Sequence, residues 1–174
     1  MNGKVERKVS RLKHFDYSSN GLYFITVCTY GKENYFGKII DGRMYLSPCG
    51  KIAEEEIAVV NQKRQGQFIK ITKYVIMPNH IHFIINIFKP DIFHEYKQED
   101  FSEPASESIS SVMRSYKAAV TKKVREVSDG VNMPEGIWQS RYYDHIIRND
   151  ESYAKIYEYI ETNPLRWDKD KFFR

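Results

Sequence analysis

Two β-rich runs with almost nothing between them constrain the fold most. The runs FIKITKYVIM (68–77) and IHFIINIF (81–88) are separated only by Pro78, Asn79 and His80. A connection this short joins neighbouring antiparallel strands, because parallel strands need a crossover of a dozen or more residues. The chain is therefore predicted to contain an antiparallel sheet in which these two strands pair.

Strand patterns alternate with amphipathic helical patterns along the rest of the chain. The strand patterns cover 22–29 and 142–148, a tight hairpin is centred on Asp41-Gly42, and the helical patterns cover 48–64, 108–127 and 150–163. Interleaving of this kind favours an α+β sandwich, in which an antiparallel sheet carries helices on one face.

Length and charge predict one domain with uneven surface charge. A chain of 174 residues suits a single domain over 1–174. Residues 1–20 carry five Lys or Arg against two acids and are predicted to form a basic N-terminal arm; 111–127 carry five against one. Residues 89–108 are predicted to form an acidic surface loop. Basic surfaces suit a phosphate backbone, although solvated faces of ordinary proteins have the same composition.

Composition argues against a membrane or secreted protein. No apolar run reaches the roughly 18 residues of a membrane span, and the N-terminal segment lacks the apolar core of a secretory signal. Cys28 and Cys49 form neither a disulfide framework nor a C-x-x-C site. We expect a reduced, cytoplasmic protein.

His80 and His82 stand two residues apart where the second strand of the hairpin begins. Side chains at this spacing point to the same side of a strand, with Cα atoms about 6.5 Å apart, so two imidazoles can converge on one metal ion. Alternatively, they are polar strand residues, one hydrogen-bonded and one exposed. A tight metal site would also need a third ligand from another element.

The last predicted helix places a phenol beside a carboxamide. Its core stripe begins at Tyr153 and includes Tyr157, and Tyr159 and Asn163 lie one turn apart on the flank of that stripe. Two polar groups at this spacing can act at one site. Alternatively, Tyr159 shields the edge of the core and Asn163 ends the helix before Pro164.

Three segments in this order carry a resemblance to a known family: YVIMPNHIHFII (74–85), IWQSRYYDHIIRND (137–150) and YEYIETNPLRW (157–167). They resemble the HUH single-tyrosine transposases, especially the REP-associated relatives, which handle repeated palindromes. The resemblance begins near residue 11 and implies a ferredoxin-like antiparallel sheet flanked by helices. Asn163 places the chain nearer the REP-associated members, since insertion-sequence members carry glutamine there.

The resemblance also implies a site and a reaction. His80 and His82 would bind a divalent metal, Mg²⁺ or Mn²⁺, with Asn163 as the third ligand. Tyr159 would be the nucleophile of a transposase that nicks and transfers single-stranded, hairpin-containing DNA through a covalent 5′-phosphotyrosine. Members of the family act as monomers or as homodimers, and the sequence does not decide between these states.

Several further residues have weaker claims. Tyr116 lies in a basic helix but on its apolar stripe, which favours a core role. Asp144 and His145 are predicted either to supply a proton or a hydrogen bond to the metal site or to have a structural role. Trp138 and Tyr142 could stack on unpaired bases or pack in the core. DNA contacts are predicted for Arg7, Lys8, Arg11, Lys13, Arg114, Lys117, Lys122, Lys123 and Arg125.

Other functions are compatible with these residues. One is a domesticated protein that binds hairpin DNA without cleaving it, and another is a replication-initiation nuclease with the same HUH chemistry. A ligand-binding α+β sandwich without catalysis would have no metal at His80 and His82 and would form no covalent DNA adduct.

Overall fold

A computed structural model describes residues 16, 18–90, 107–127 and 136–173. Its elements are strands β1 (Gly21–Thr29), β2 (Gly37–Ile40) and β3 (Arg43–Leu46), helix α1 (Pro48–Lys63), strands β4 (Ile69–Met77) and β5 (His80–Ile87), helix α2 (Ile109–Val127), strand β6 (Trp138–Ile147) and helix α3 (Asp150–Thr162). Two short 3-10 segments cover Tyr30–Lys32 and Asn163–Lys169. Most of the predicted arm (1–20) and acidic loop (89–108) lies outside the described residues, so both stay predictions, as does the single domain.

Four strands form one antiparallel sheet in the order β4-β5-β1-β6, and β2 pairs with β3 as a separate hairpin. Strands β4 and β5 pair from Met77 with His80 to Ile69 with Ile87, as the short connection between them predicts. Strand β1 lies between β5 and β6 and is antiparallel to both. The predicted α+β class with an antiparallel sheet is confirmed, and β6 begins four residues earlier than predicted.

Helices cover both faces of the sheet. Helices α1 and α2 enclose the larger apolar core, which contains Phe83 and Tyr116. Helix α3 packs on the opposite face, where Ile160 joins Ile84 and Ile147 in a second core. The expectation of helices on one face is wrong, because β5 is apolar and buried on both of its sides and needs cover on each. In the described ranges, no helix is both long enough and apolar enough to cross a membrane.

Helix α3 is positioned by its two ends. Asn149 caps it, its side-chain oxygen accepting a hydrogen bond from the Ser152 backbone N–H at 2.8 Å. After Thr162 the chain passes through Pro164 into the 3-10 segment and returns toward the sheet. The predicted core stripe is wrong at Tyr157, which is 39% exposed and accepts a hydrogen bond from the Lys73 ammonium at 3.3 Å.

Candidate active site

The histidine pair lies on the α3 face of the sheet, at the start of β5. Both side chains are buried, and their Nε2 atoms are 3.0 Å apart. Two metal–nitrogen bonds of about 2.1 Å at about 90° separate the nitrogens by about 3.0 Å, so this spacing fits a shared ion. The alternative in which one histidine is exposed does not apply, because His80 and His82 are 0% and 1% exposed.

Asn79 determines which nitrogen of His80 carries the proton. Its Nδ2 donates to the backbone oxygens of Phe172 at 2.8 Å and Lys32 at 3.1 Å, so its Oδ1 is the atom that faces His80 Nδ1 at 2.9 Å. An amide oxygen only accepts, so His80 Nδ1 donates and Nε2 keeps its lone pair. This is the tautomer that a histidine needs in order to bind a metal through Nε2.

Burial keeps both imidazoles neutral. It lowers the pKa of His80 to about 4, an effect that the nearby Asp170 carboxylate partly opposes. Burial, followed by the neighbouring His80, lowers the pKa of His82 well below its usual range. His82 Nδ1 also lies 2.8 Å from the Thr26 hydroxyl, which orients the ring. Neutral imidazole is the form that binds metal, so the pair is ready for an ion near pH 7.

Tyr159 reaches the histidines from α3. Its hydroxyl lies 3.3 Å from His82 Nε2 and donates to Asp170 Oδ2 at 3.0 Å. Burial, and after it the negative charge of Asp170, raises the pKa of Tyr159 to about 12. The resting phenol is therefore protonated, and it needs a proton acceptor or added positive charge before it can attack an electrophile.

Asp170 is the member of this cluster that sequence reasoning missed. Its carboxylate lies with the nitrogens of His80 and His82 in a group, spanning at most 4.8 Å, that could hold a metal ion. Between Lys169 and Lys171 it resembles ordinary surface charge, and only the reversal of the chain after α3 brings it inward. A carboxylate, two imidazoles and a phenol therefore come together from three separate segments.

Asn163 joins the cluster through Asp170. It is 2% exposed, and its Nδ2 donates to Asp170 Oδ2 at 3.4 Å. Its Oδ1 is buried and has no hydrogen-bond partner among the described residues. A buried amide oxygen without a donor is costly, and a nearby cation would offset that cost. The donor set of two nitrogens and up to two oxygens therefore fits a divalent metal.

The structure does not bring Asp144 to the site. Asp144 pairs in register with Ile25, which lies in the core under α1 and α2, so it occupies the face of the sheet away from the histidines. His145 is on the histidine face, but it pairs with Phe24 and lines a cleft of about 560 Å³ beside α3. The prediction that Asp144 assists the metal ligands is therefore wrong, because Asp144 lies on the opposite face of the sheet.

The predicted DNA-binding residues of α2 lie across the sheet from Tyr159. Lys117 donates to the Gln139 backbone oxygen at 2.7 Å, and burial lowers its pKa to about 8. Lys123 forms an ion pair with Glu56. The remaining three are exposed: Arg114, Lys122 and Arg125. The other four predicted residues lie outside the described part of the chain: Arg7, Lys8, Arg11 and Lys13.

Trp138, Tyr142 and Tyr116 belong to the core side of the sheet. Tyr116 is 0% exposed and donates its hydroxyl to the Ala53 backbone oxygen at 2.8 Å, so its predicted core role is confirmed. Tyr142 is buried and Trp138 packs against the same core. Among the tyrosines in the part of the chain that the structure describes, Tyr159 is the one whose hydroxyl lies beside the histidine pair.

Comparison with known proteins shows which proteins the chain resembles. No family model matches the chain. A Haemophilus influenzae protein of uncharacterized function is 37% identical over 177 residues, which cover 98% of this chain and 95% of that protein. A second H. influenzae protein, provisionally named a REP-associated tyrosine transposase, is 23% identical over an alignment that covers 87% of this chain and 74% of that protein. The REP-associated tyrosine transposase of Escherichia coli K12 is 28% identical and covers 63% of this chain and 52% of its own length.

The chain is similar to the REP-associated tyrosine transposases. A solved structure of a REP-associated tyrosine transposase bound to a REP hairpin matches this fold with a TM-score of 0.59, over 90% of this chain and 73% of that one, at 20% identity. The named relatives bear out the resemblance predicted from the three sequence motifs, and the shared fold confirms the predicted antiparallel sheet flanked by helices. The names of the relatives support a transposase-like function for this chain.

Proposed function

We propose that this REP-associated tyrosine transposase-like protein nicks and rejoins single-stranded DNA next to a hairpin, with Tyr159 as the nucleophile. The observation that carries the proposal is the position of the Tyr159 hydroxyl, 3.3 Å from the His82 Nε2 atom and 3.0 Å from the Asp170 carboxylate. Burying the polar side chains of His80, His82 and Asn163 in one cluster costs stability unless they are paired. Such a cluster is typical of a catalytic site rather than of a core.

The metal would be held by His80 and His82, with oxygen ligands from Asp170 and Asn163. Carboxylate and amide oxygens suit Mg²⁺ or Mn²⁺, and imidazole is compatible with Mn²⁺. When bound, such an ion supplies Lewis-acid polarisation of a phosphoryl oxygen and offsets charge in the transition state.

The Asp170 carboxylate accepts a hydrogen bond from the Tyr159 hydroxyl, so it can accept the phenol proton as attack begins. The new bond joins the Tyr159 phenolic oxygen to phosphorus, and the bond from phosphorus to the 3′ oxygen breaks. The products are a 5′-phosphotyrosine and a free 3′-hydroxyl, which takes up a proton. Because the phosphotyrosine ester conserves the bond, a later 3′-hydroxyl can reverse the step and join strands without a separate energy source.

Access to the site requires movement of the segment that follows α3. The Phe172 ring lies 4.6 Å from the His80 ring, and the Tyr159 ring lies 5.2 Å from the His82 ring, so both histidines are covered. A phosphate can reach the imidazoles only when the Phe172 ring shifts away from His80. Binding of the DNA strand and rearrangement of the segment after α3 are therefore coupled in the proposed reaction.

A covalent-adduct assay tests the proposal. Hairpin oligonucleotides from the flanks of the gene, labelled on the strand 3′ of the candidate cut, are incubated with the protein and either Mn²⁺ or EDTA. We expect a labelled species that survives SDS, requires Mn²⁺ and is absent from Tyr159→Phe. Tyr157→Phe is the matched control, because Tyr157 lies on the same helix, but its hydroxyl contacts Lys73 rather than the histidines.

An adduct that forms with Tyr159→Phe but not with Tyr157→Phe would assign the nucleophile to Tyr157 and refute our assignment. Tight hairpin binding without any adduct would instead favour the domesticated hairpin-binding protein. A replication-initiation nuclease would give the same adduct, and it would be distinguished by a preference for an origin sequence over the flanking hairpins.

A further inference from the structure

Among the described residues, no helix covers one strip of the sheet beside the histidines. Helix α3 covers the core around Ile84 and Ile147. Along β6, three alternate residues are exposed: Arg141, Tyr143 and His145. Alternate residues of a strand point to the same side, so these three side chains share one face. Tyr143 is 46% exposed and belongs to neither apolar core.

The register of the sheet places this strip next to the candidate active site. Tyr143 pairs with Thr26, and Thr26 pairs with His82 on the other side of β1. The 2.8 Å contact between the Thr26 hydroxyl and His82 Nδ1 shows that these side chains share a face. Two interstrand spacings of about 4.8 Å place the Cα atoms of Tyr143 and His82 about 10 Å apart. A nucleotide neighbouring a phosphate at the histidines is within reach of the Tyr143 ring.

The surroundings of Tyr143 are aromatic and positively charged. The Phe172 ring lies 6.0 Å from the Tyr143 ring and 4.6 Å from the His80 ring, so a row of rings runs from the histidines to β6. The Lys171 ammonium lies 5.8 Å from the centroid of the Tyr143 ring, and Arg141 is exposed two residues away on the same strand. Aromatic rings flanked by cations are typical of surfaces that bind unpaired nucleotides.

We propose that Tyr143 is the platform on which an unpaired DNA base next to the scissile phosphate stacks, while Arg141 and Lys171 contact the adjoining phosphates. This inference rests on the proposed function, which places a phosphate at the histidine pair. The ligand is single-stranded DNA, because only an unpaired base offers a free face to a protein ring. It also gives the exposed strip of β6 a role separate from that of the basic α2 surface on the opposite side of the sheet.

The test uses the full chain carrying Tyr159→Phe, so that no reaction competes with binding. The probe is a hairpin with an unpaired oligothymidylate flank that carries 2-aminopurine at successive positions, because stacking quenches this fluorophore. We expect quenching at one or two flank positions. Adding Tyr143→Ala should abolish the quenching and weaken binding about 5- to 150-fold, the effect of losing one stacked base.

Two control variants separate stacking from other effects. Tyr143→Phe retains the ring and should preserve both quenching and affinity. Tyr45→Ala removes an exposed strand tyrosine from β3, which is 51% exposed, and should change neither. Thermal unfolding of each variant verifies that the fold is intact.

Unchanged quenching and affinity in Tyr143→Ala would overturn the platform, and so would equal losses in Tyr143→Phe. The adduct assay separates this inference from the proposed function. An adduct formed by Tyr143→Ala at the wild-type rate and concentration dependence rejects the platform and keeps the nuclease. If wild-type protein quenches the probe but forms no adduct, base stacking on Tyr143 is supported and DNA cleavage by Tyr159 is rejected. If the protein does not bind the probe, both proposals are overturned.

Discussion

Replacing Asn79 by alanine should destabilise the protein and loosen the candidate metal site together. Asn79 is 0% exposed and forms three side-chain hydrogen bonds, donated to Lys32 and Phe172 and accepted from His80. Each such bond contributes about 1 kcal/mol net, and the buried groups left without partners add to the loss. We expect the free energy of unfolding to fall by about 3 kcal/mol.

The effect on metal binding follows from the tautomer of His80. Without the Asn79 oxygen, nothing fixes the proton on Nδ1, and the ring loses its orientation. Loss of a partner behind a metal-binding histidine typically lowers metal affinity about 10- to 100-fold, and we expect that range for Mn²⁺. Asn79→Asp keeps an acceptor for His80 but loses both donated bonds, so it should lose stability while retaining Mn²⁺ affinity.

Urea unfolding and calorimetric titration with Mn²⁺ measure the two effects separately. Asn20→Ala is the matched control, since Asn20 forms two comparable bonds, with the Lys89 backbone oxygen at 2.8 Å and N–H at 2.7 Å, but is exposed. Its loss should stay below about 1 kcal/mol, because water replaces exposed hydrogen bonds. Equal destabilisation by Asn79→Ala and Asn20→Ala, or unchanged Mn²⁺ affinity in Asn79→Ala, would refute the role assigned to Asn79.

Two further predictions concern charge at the site. Asp170→Asn should lower Mn²⁺ affinity at least about 10-fold, because a neutral amide replaces a charged ligand. It should also suppress the adduct, because the amide cannot accept the Tyr159 proton. Unchanged Mn²⁺ affinity, measured by calorimetry, would leave Asn163 as the oxygen ligand. In metal-free protein, the contribution of His80 to the free energy of unfolding should be constant above about pH 6.5 and should fall by about 3 kcal/mol toward pH 4. The reason is that the unfolded chain, in which the histidine pKa is higher, takes up the proton first. Urea titrations in EDTA check this, and a slope that is identical in His80→Gln would contradict it.

Much of the site could be predicted because it depends on local geometry. The two-residue period of a strand puts His80 and His82 on one side wherever β5 lies. The 3.6-residue period of a helix likewise keeps Tyr159 and Asn163 on one flank of α3. The short link between β4 and β5 fixes antiparallel pairing, and the apolar stripe of α2 buries Tyr116. These relations hold within one element and need no knowledge of its neighbours.

The tertiary structure decided which of these faces meet. The register of β6 against β1 sets Tyr143 on the same face as His82 and turns Asp144 to the far side, and a shift of one residue would exchange the two. The chain reversal after α3 brings Asp170 to Tyr159 across a gap that no periodic pattern spans. The sequence determined what each strand and helix presents on each side. Only the long-range pairing, which depends on the packing of the whole chain, determined the residues that complete the site.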